Sequence, residues 1–255
     1  MNILVCVKQV PDDYAEIRLG GDGKPATAGA GTVNNAFDTY ALELAVRFCE
    51  AHGGSVTAVT IGPEGAQSGL KNLLAVGAGK AYLCAASGEA DEGGTAALLA
   101  RAVELCQERE GAAYDLILCG KESTDEISGQ VGARLAERLG AAFVSGVVEA
   151  EPSGDGLKAR QETEEGGVVY EMSLPAVLTI AKPAYDPRYP NIKTKMAARK
   201  AVIPVLDLGA AEPALVSCLG YSEPPKREAG VVIQEKEAAE AVKKAVVMLA
   251  EANVL

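Results

Sequence analysis

The residues that could do chemistry are concentrated at positions 120–132, in the stretch Gly-Lys-Glu-Ser-Thr-Asp-Glu-Ile-Ser-Gly-Gln-Val-Gly. An apolar run at 116–119 precedes them. A helical pattern of apolar residues follows at 133–139, and Gly140 is a typical helix stop. A buried strand, a polar glycine-bearing loop and a helix start form the kind of place where backbone N–H groups and the helix dipole bind a phosphate. The stretch therefore predicts an anion site.

Three polar side chains of this stretch, Ser123, Asp125 and Ser128, could cap the helix or hydrogen-bond a ribose. An ordinary strand-to-helix connection in an α/β domain explains the pattern equally well, because neither a Walker spacing nor a dinucleotide G-x-G-x-x-G spacing is present. From these residues alone both interpretations stay open.

Residues for self-sufficient hydrolysis or metal binding are scarce. His52 is the single histidine and precedes Gly53-Gly54, where a cation favours a helix C-terminus. Without a second histidine no Ser/His/Asp or Cys/His set can be assembled elsewhere. No C-x-x-C pair occurs, so the cysteines predict small core residues in a reducing compartment and not a zinc site or a disulfide framework; they are Cys6, Cys49, Cys84, Cys106, Cys119 and Cys218.

Composition excludes further classes. A net charge of −11, no Trp and 3 Phe argue against a nucleic-acid-binding protein. No apolar run approaches the roughly 20 residues that a bilayer span needs. The first seven residues lack a basic n-region and read as a strand, not a signal peptide. We therefore expect a cytoplasmic protein without membrane insertion.

Strand-like and helix-like patterns alternate from the first residue and predict the positions that hold these side chains. Strands are expected at 3–7, 56–61, 81–85, 116–119 and 176–181, and helices at 38–49, 66–75 and 133–139, with a helix capped by Thr95 through 106. Residues 13–32 predict a long loop or small hairpin, and 144–173 a hairpin or meander. Strands separated by helices imply βαβ units, so the fold class is α/β with a Rossmann-like parallel sheet.

The compact pattern ends at Pro183. Residues 183–200 carry three prolines and five basic side chains in an otherwise acidic protein, which fits either a solvated linker or a functional loop. From Pro204 a proline-bearing tail leads to an amphipathic helix at 235–252, which could pack on its own domain or wrap a partner. The predicted units are a nucleotide-binding domain at 1–182, a loop at 183–203 and a C-terminal arm at 204–255.

Five segments, in order and spacing, resemble the β subunit of electron transfer flavoprotein over residues 1 to about 203. They are Val-Cys-Val-Lys-Gln-Val-Pro-Asp at 5–12, Asn-Ala-Phe-Asp leading to Tyr-Ala-Leu-Glu at 35–43, the stretch at 120–132, Leu-Pro-Ala-Val-Leu-Thr at 174–179, and Asp-Pro-Arg-Tyr-Pro-Asn-Ile at 186–192 continuing to Lys200.

The resemblance implies an electron carrier that pairs with a larger, FAD-holding α subunit and exchanges electrons with a flavin-dependent dehydrogenase. In simple carriers of this family the β subunit binds AMP as a structural ligand. In the electron-bifurcating branch the same site takes a second FAD, which accepts hydride from NADH and divides the electrons between a high-potential acceptor and a low-potential one, such as ferredoxin or flavodoxin.

Position by position, the resemblance implies nucleotide contacts on 18 residues, with adenine against Cys6 and Ile61 and phosphates on the turn from Asp125 to Val131. Burial without direct contact explains Cys6 and Ile61 almost as well. The full set is Cys6, Asn35, Ala36, Phe37, Asp38, Ile61, Gly120, Lys121, Glu122, Ser123, Thr124, Asp125, Glu126, Ile127, Ser128, Gly129, Gln130 and Val131.

Two short stretches bear on whether the chain resembles the bifurcating, FAD-binding branch of the family or the simple, AMP-binding one. The stretches at 8–12 and 128–132 resemble bifurcating members, since AMP binders commonly carry Thr where Val131 stands. The sequence departs from the family pattern at Ala36, where Pro is usual, and at 122–124, where Gln-Ala-Ile is common. The prediction is FAD, with AMP as the alternative.

The resemblance also makes 183–203 the loop that docks on the dehydrogenase, anchored by the apolar side chain of Ile192. The predicted partner-binding residues are Arg188, Tyr189, Ile192, Lys193 and Met196, with Arg188 and Lys193 as candidates for electrostatic steering. A stand-alone nucleotide-binding module of the universal-stress type is the rival hypothesis. It accounts for the βαβ core and leaves 183–255 unexplained.

Overall fold

The computed structural model describes residues 1–27, 29–225 and 229–254. Its strands are Asn2–Cys6 (β1), Gln9–Pro11 (β2), Thr32–Asn34 (β3), Ser55–Ile61 (β4), Lys80–Ser87 (β5), Leu116–Gly120 (β6), Ala142–Ser153 (β7), Gly156–Thr163 (β8), Gly166–Met172 (β9), Ala176–Ile180 (β10) and Val205–Ala210 (β11). Its α-helices are Ala36–His52 (α1), Gln67–Val76 (α2), Glu92–Glu110 (α3), Val131–Leu139 (α4), Ile192–Arg199 (α5) and Ala238–Glu251 (α6).

A central sheet of nine strands organises the molecule, in the order β11-β5-β4-β1-β6-β10-β7-β8-β9. Neighbours from β11 to β7 are parallel, while β7, β8 and β9 form an antiparallel meander. One apolar core lies beneath α1 and α2, and a second lies beneath α3 and α4 on the opposite face. Coverage of both faces is why β1, β6 and β10 are continuous apolar runs. The predicted Rossmann-like α/β fold is confirmed.

Two predicted helix starts are wrong. Helix α1 begins at Ala36, two residues before the expected Asp38. Helix α3 is capped by Asp91, whose carboxylate accepts a hydrogen bond from the Gly94 N–H, so the expected cap Thr95 lies inside the helix. An aspartate one turn earlier satisfies the free N–H groups of the first turn and sets the start there.

Segment 183–203 is not the irregular stretch that its prolines predicted. Asn191 accepts a hydrogen bond from the Thr194 N–H and caps α5, which packs against α2 with Ala198 buried. Ile203 then enters the core under α1 and α2. The capping side chain and two apolar contacts outweigh the proline punctuation.

The sheet extends beyond the predicted domain boundary at 182. Strand β11, whose six residues fall in the segment assigned to the arm, pairs in parallel with β5. Asp91 then accepts hydrogen bonds from the N–H groups of Leu215 and Val216, and Arg138 pairs with Glu212. Residues 205–216 are therefore fastened to the α/β unit.

Helix α6 lies where the sequence predicted a terminal helix, at Ala238–Glu251 against the expected 235–252. None of its residues is buried, and its apolar side chains are exposed at Val242, Val246, Val247, Met248 and Leu249. Within the residues that the structure describes, no helix is both long and apolar enough to cross a bilayer.

Candidate functional site

Three predicted contact residues end neighbouring strands at one edge of the sheet. Cys6 closes β1, Ile61 closes β4 and Gly120 closes β6, with β1 between the other two. Ligands of open α/β sheets bind outside this carboxyl edge. Cys6 is 6% exposed and Ile61 is half-buried, so Ile61 offers more surface to a ligand. A hydrogen bond with Cys119, together with burial, raises the pKa of the Cys6 thiol, which is therefore a neutral wall group and not a nucleophile.

Asn35 joins the start of α1 to the polar loop after β6. Its side-chain N–H donates to the Glu122 carbonyl at 2.9 Å, and its carbonyl oxygen accepts from the Thr124 N–H at 3.1 Å. The residue is buried. The predicted nucleotide residue Asn35 therefore shapes the loop from within, because its amide bonds to backbone of the same chain.

Asp38 fastens the ends of two strands to the first turn of α1. Its carboxylate accepts from the Lys8 N–H at 2.7 Å and from the Gly120 N–H at 2.8 Å. Burial raises the pKa of Asp38 to about 6, against the lowering effect of these two hydrogen bonds. A Cβ on Gly120 would lie 2.3 Å from the Asp38 carboxylate, so only glycine permits this approach. Asp38 thus holds the backbone of Lys8 and of Gly120 against the start of α1.

The turn before α4 has an unusual backbone. Ile127 has a φ of 55° and Gly129 a φ of 63°, and the Ile127 side chain is exposed. A β-branched residue with positive φ is strained, and such strain concentrates at functional sites. Gln130 precedes α4 without a side-chain cap, so of the two roles that the sequence left open for Ser123, Asp125 and Ser128, capping of the helix is wrong and contact with a ribose stays a prediction. Asp125 instead bonds to Lys8.

Lys8 is a member of the site that sequence reasoning did not include. Its Nζ lies 2.9 Å from an Asp125 carboxylate oxygen and 3.0 Å from a Glu126 carboxylate oxygen. Burial acts to lower the pKa of Lys8, and the two carboxylates outweigh it and raise that pKa. They also place a cation on the turn assigned to phosphate, where bare acidic groups would repel an anion. Its position directly after β1, at the same sheet edge, was the available signal.

A cleft of roughly 530 Å³ adjoins this turn. Phe37, Lys121 and Gly129 of the predicted contact set lie in its wall. The other lining residues come from β7, β8 and β10 and the segment after β10, and they were not predicted: Ser145, Gly146, Val148, Gln161, Glu162, Thr179, Ala181 and Lys182. Helix α4 passes close to β10 here, since a Cβ on Gly132 would lie 2.2 Å from Thr179. The meander therefore contributes a wall to the site.

The predicted partner residues form a second region, in segment 183–203. Ile192 is 80% exposed, and Tyr189, Lys193 and Met196 are also exposed. Arg188 differs from them, because its guanidinium binds Glu43 and Glu50 of α1. A hollow of about 400 Å³ lies between α5 and α2, and Ile192 and Met196 are among the residues that line it. Within the described residues, no cluster of three or more His, Cys, Asp or Glu side chains offers a metal site.

Comparison with known proteins decides the family. The model of the electron transfer flavoprotein domain matches residues 24–211, from the loop before β3 to the end of β11. The chain belongs to the electron transfer flavoprotein family. It is 35% identical over 237 residues to an electron transfer flavoprotein β subunit of Syntrophomonas wolfei, covering 92% of this chain and 91% of that one.

Other β subunits of the family are similar over the whole chain. The β subunit of Megasphaera elsdenii is 34% identical over 251 residues and 93% of each chain, and that of Bacillus subtilis is 32% identical over 262 residues and all of each chain. The predicted β-subunit membership is confirmed. The similarity takes in 183–255, which a stand-alone universal-stress module leaves unexplained.

Proposed function

We propose that this chain pairs with a larger α subunit and binds an FAD at the carboxyl edge of its sheet, as the β subunit of a bifurcating electron transfer flavoprotein. NADH would be the electron donor. A flavin-dependent dehydrogenase of the acyl-CoA type and a low-potential acceptor such as ferredoxin or flavodoxin would receive the electrons. The alternative is a simple carrier with AMP in the same place.

The FAD assignment rests on one observation: the turn assigned to phosphate opens into a neighbouring cleft. The turn at 125–131, assigned to phosphate, shares Gly129 with a cleft of roughly 530 Å³. AMP has one phosphate and would end at the turn, whereas a dinucleotide continues beyond it. Lys121 and Lys182 in the cleft wall provide cations for a pyrophosphate, and Gln161 and Thr179 provide hydrogen-bonding groups for a polar chain. These residues fit the longer ligand.

The roles of the chain's own residues follow from their contacts. Asn35 and Asp38 hold the loop and strand ends in place, and Lys8 compensates the carboxylates of the turn. Cys6 and Ile61 supply an apolar wall suited to an adenine face. FAD, when bound, supplies the exchange between two-electron and one-electron steps, while the protein supplies position and electrostatics.

Segment 183–203 suits a dehydrogenase with an acidic, apolar-centred docking surface. Exposed Ile192 is the proposed aliphatic anchor, and the same helix carries the exposed basic residues Lys193, Lys195 and Arg199. A central apolar contact with charges at its rim is how transient interfaces concentrate binding energy and steer encounter. The exposed apolar face of α6 is assigned to the α subunit.

The test is the nucleotide content of the heterodimer. The chain is co-expressed with its α partner, the bound nucleotides are released by heat, and FAD and AMP are quantified per heterodimer. The proposal expects two FAD and little AMP, with the flavin reduced by NADH. One FAD and one AMP would overturn the FAD assignment and make this a simple carrier.

A further inference from the structure

The partner-recognition segment, residues 183–203, is held at both ends and free in the middle. At its far end Lys71 of α2 donates to the Arg199 carbonyl at 3.2 Å, and Ala198 and Ile203 are buried. At its near end Arg188 is bound to α1. Between these fixed points Ile192 projects into solvent. The exposed middle therefore has its shape set by its two attachments.

The near attachment is built on one buried carboxylate. Glu43 of α1 has 4% of its side chain exposed. One of its oxygens accepts from the Arg188 backbone N–H at 3.1 Å and from Arg188 Nε at 2.8 Å, and the other accepts from Arg188 Nη2 at 3.1 Å. Contact to both the backbone and the fork of Arg188 fixes the chain path as well as the side chain.

Neighbouring groups reinforce this contact. Glu50, about two turns further along α1, accepts from both terminal nitrogens of Arg188 at 2.6 and 2.9 Å. Arg47 donates to Glu43 at 2.8 Å, and its guanidinium lies 4.3 Å from the ring centre of Tyr185 in the same segment. The two acidic and two basic side chains balance in charge, so the buried carboxylate is compensated.

We propose that Glu43 is a positioning residue for partner docking: through Arg188 it holds the recognition segment in the shape that an electron-accepting dehydrogenase meets. The inference rests on the proposed function of that segment. It assigns Arg188 the role of an intramolecular anchor on α1, in place of the steering role that the sequence suggested for it. The basic groups left for steering are Lys193, Lys195 and Arg199 of α5 and Lys200 directly after it.

The short distance along the chain makes the anchor effective. Ile192 lies only a few residues after Arg188, and Asn191, which caps α5, lies between them. Holding Arg188 therefore sets where α5 begins and where Ile192 points. A segment ordered before binding avoids the entropy cost of ordering on the partner, so the anchor raises affinity without touching the partner.

Hydrogen exchange on the full chain tests the anchor directly. In Glu43→Gln, amides of residues 186–199 are expected to exchange roughly 10- to 100-fold faster, since a buried ion pair has lost its charge. Amides of 120–131 should keep their rates. Arg188→Lys keeps the charge and loses the fork, and it should give the same pattern more weakly. If both variants leave exchange in 186–199 unchanged, the proposal is overturned.

Electron transfer to a purified short-chain acyl-CoA dehydrogenase, from the heterodimer, gives the second readout. Glu43→Gln should raise the dehydrogenase concentration for half-maximal rate about tenfold and leave the rate at saturation and the bound flavin unchanged. Glu16→Gln, which breaks the exposed Arg18–Glu16 pair, is the matched control and should change neither.

The two readouts separate two failures. A lowered saturating rate or lost flavin in Glu43→Gln would mean general damage and contradict the positioning role. A wild-type heterodimer that passes no electrons to the dehydrogenase would count against the proposed function, while faster exchange in 186–199 would still support the anchor.

Discussion

At the carboxyl edge of the sheet, Asn35 and Asp38 are buried and give their polar atoms to backbone groups of their own chain. In α6, by contrast, no residue is buried and five apolar side chains face solvent. In the first region, these polar groups are satisfied by the chain itself. The second has an apolar face without a protein layer over it, as expected of a surface that another protein covers.

Segment 183–203 lies between these extremes. Its ends are fixed to α1 and α2, and its centre exposes Ile192. A transient partner needs such a surface, because a firm shape gives affinity while a small apolar area permits release. Both α6 and segment 183–203 expose apolar side chains, so the difference between them is that segment 183–203 is attached to α1 and α2 at its ends, whereas no residue of α6 is buried.

Gly120→Ala changes the carboxyl edge of the sheet, where Gly120 lies against Asp38, and should have the largest effect on stability. The added Cβ would lie 2.3 Å from the Asp38 carboxylate and 2.7 Å from the Phe37 Cβ, so α1 and β6 must separate. We expect a loss of about 3 kcal/mol or more in the free energy of unfolding, and loss of bound nucleotide. Urea denaturation and nucleotide analysis measure both. Gly65→Ala, with open space around it, is the control; equal stability of the two variants would contradict the close contact between Gly120 and Asp38.

Asp38→Asn should change how stability depends on pH. The pKa of Asp38 is raised from 3.8 to about 6 by burial, so the folded state holds this proton more tightly than the unfolded state. Stability from this group is therefore present below about pH 4 and is lost as pH rises through about 6. The unfolding free energy of the wild type, relative to Asp38→Asn, should fall by up to roughly 3 kcal/mol across that window.

Urea denaturation of both proteins from pH 4 to 8 measures that difference. Asp155→Asn, in an exposed hairpin turn, is the control for removing one carboxylate. A stability difference between wild type and Asp38→Asn that rises with pH would show that the hydrogen bonds from Lys8 and Gly120 outweigh burial, and it would contradict the raised pKa of Asp38.

Charged substitutions in α6 should have the smallest effect on the chain alone. The double variant Val246→Glu, Leu249→Glu alters two exposed side chains, so its unfolding free energy should stay within about 0.5 kcal/mol of wild type. Assembly with the α subunit should fail, as judged by co-purification. A large loss of stability without the partner would mean that α6 packs on its own domain.

Sequence patterns predicted the sheet and its carboxyl edge because buried parallel strands are continuous apolar runs and their helices are amphipathic. They also placed Asn35, Asp38 and Gly120 near one another, through the resemblance to a known family. What they missed depends on contacts between distant residues. Lys8 meets Asp125 across 117 positions, and Arg188 meets Glu43 across 145. No local pattern encodes such a pairing.

The wall that β7, β8 and β10 give to the cleft was missed for a similar reason. The sequence predicted a meander, but its place beside β10 in the sheet order follows from pairing between β7 and β10, which β8 and β9 separate along the chain. Helix α5 was missed because the prolines before it signal irregular structure, which hid the local cap that Asn191 gives it, and because Ala198 is buried only when α5 packs against α2.

In the proposed function, the carboxyl edge of the sheet binds the nucleotide and segment 183–203 docks the dehydrogenase, so that the two functions are separate. The most direct test of this division uses the Ile192→Ala heterodimer and measures bound flavin and electron transfer to the dehydrogenase in the same preparation. Ile192 is exposed and is proposed to contact the dehydrogenase, so its truncation should lower the rate of electron transfer at low dehydrogenase concentration roughly tenfold. The flavin content should be unchanged, because Ile192 is not among the proposed nucleotide contacts. Ile17→Ala, an exposed aliphatic outside the segment, should leave both at wild-type values. An unaltered transfer rate, or flavin lost together with transfer, would contradict that division.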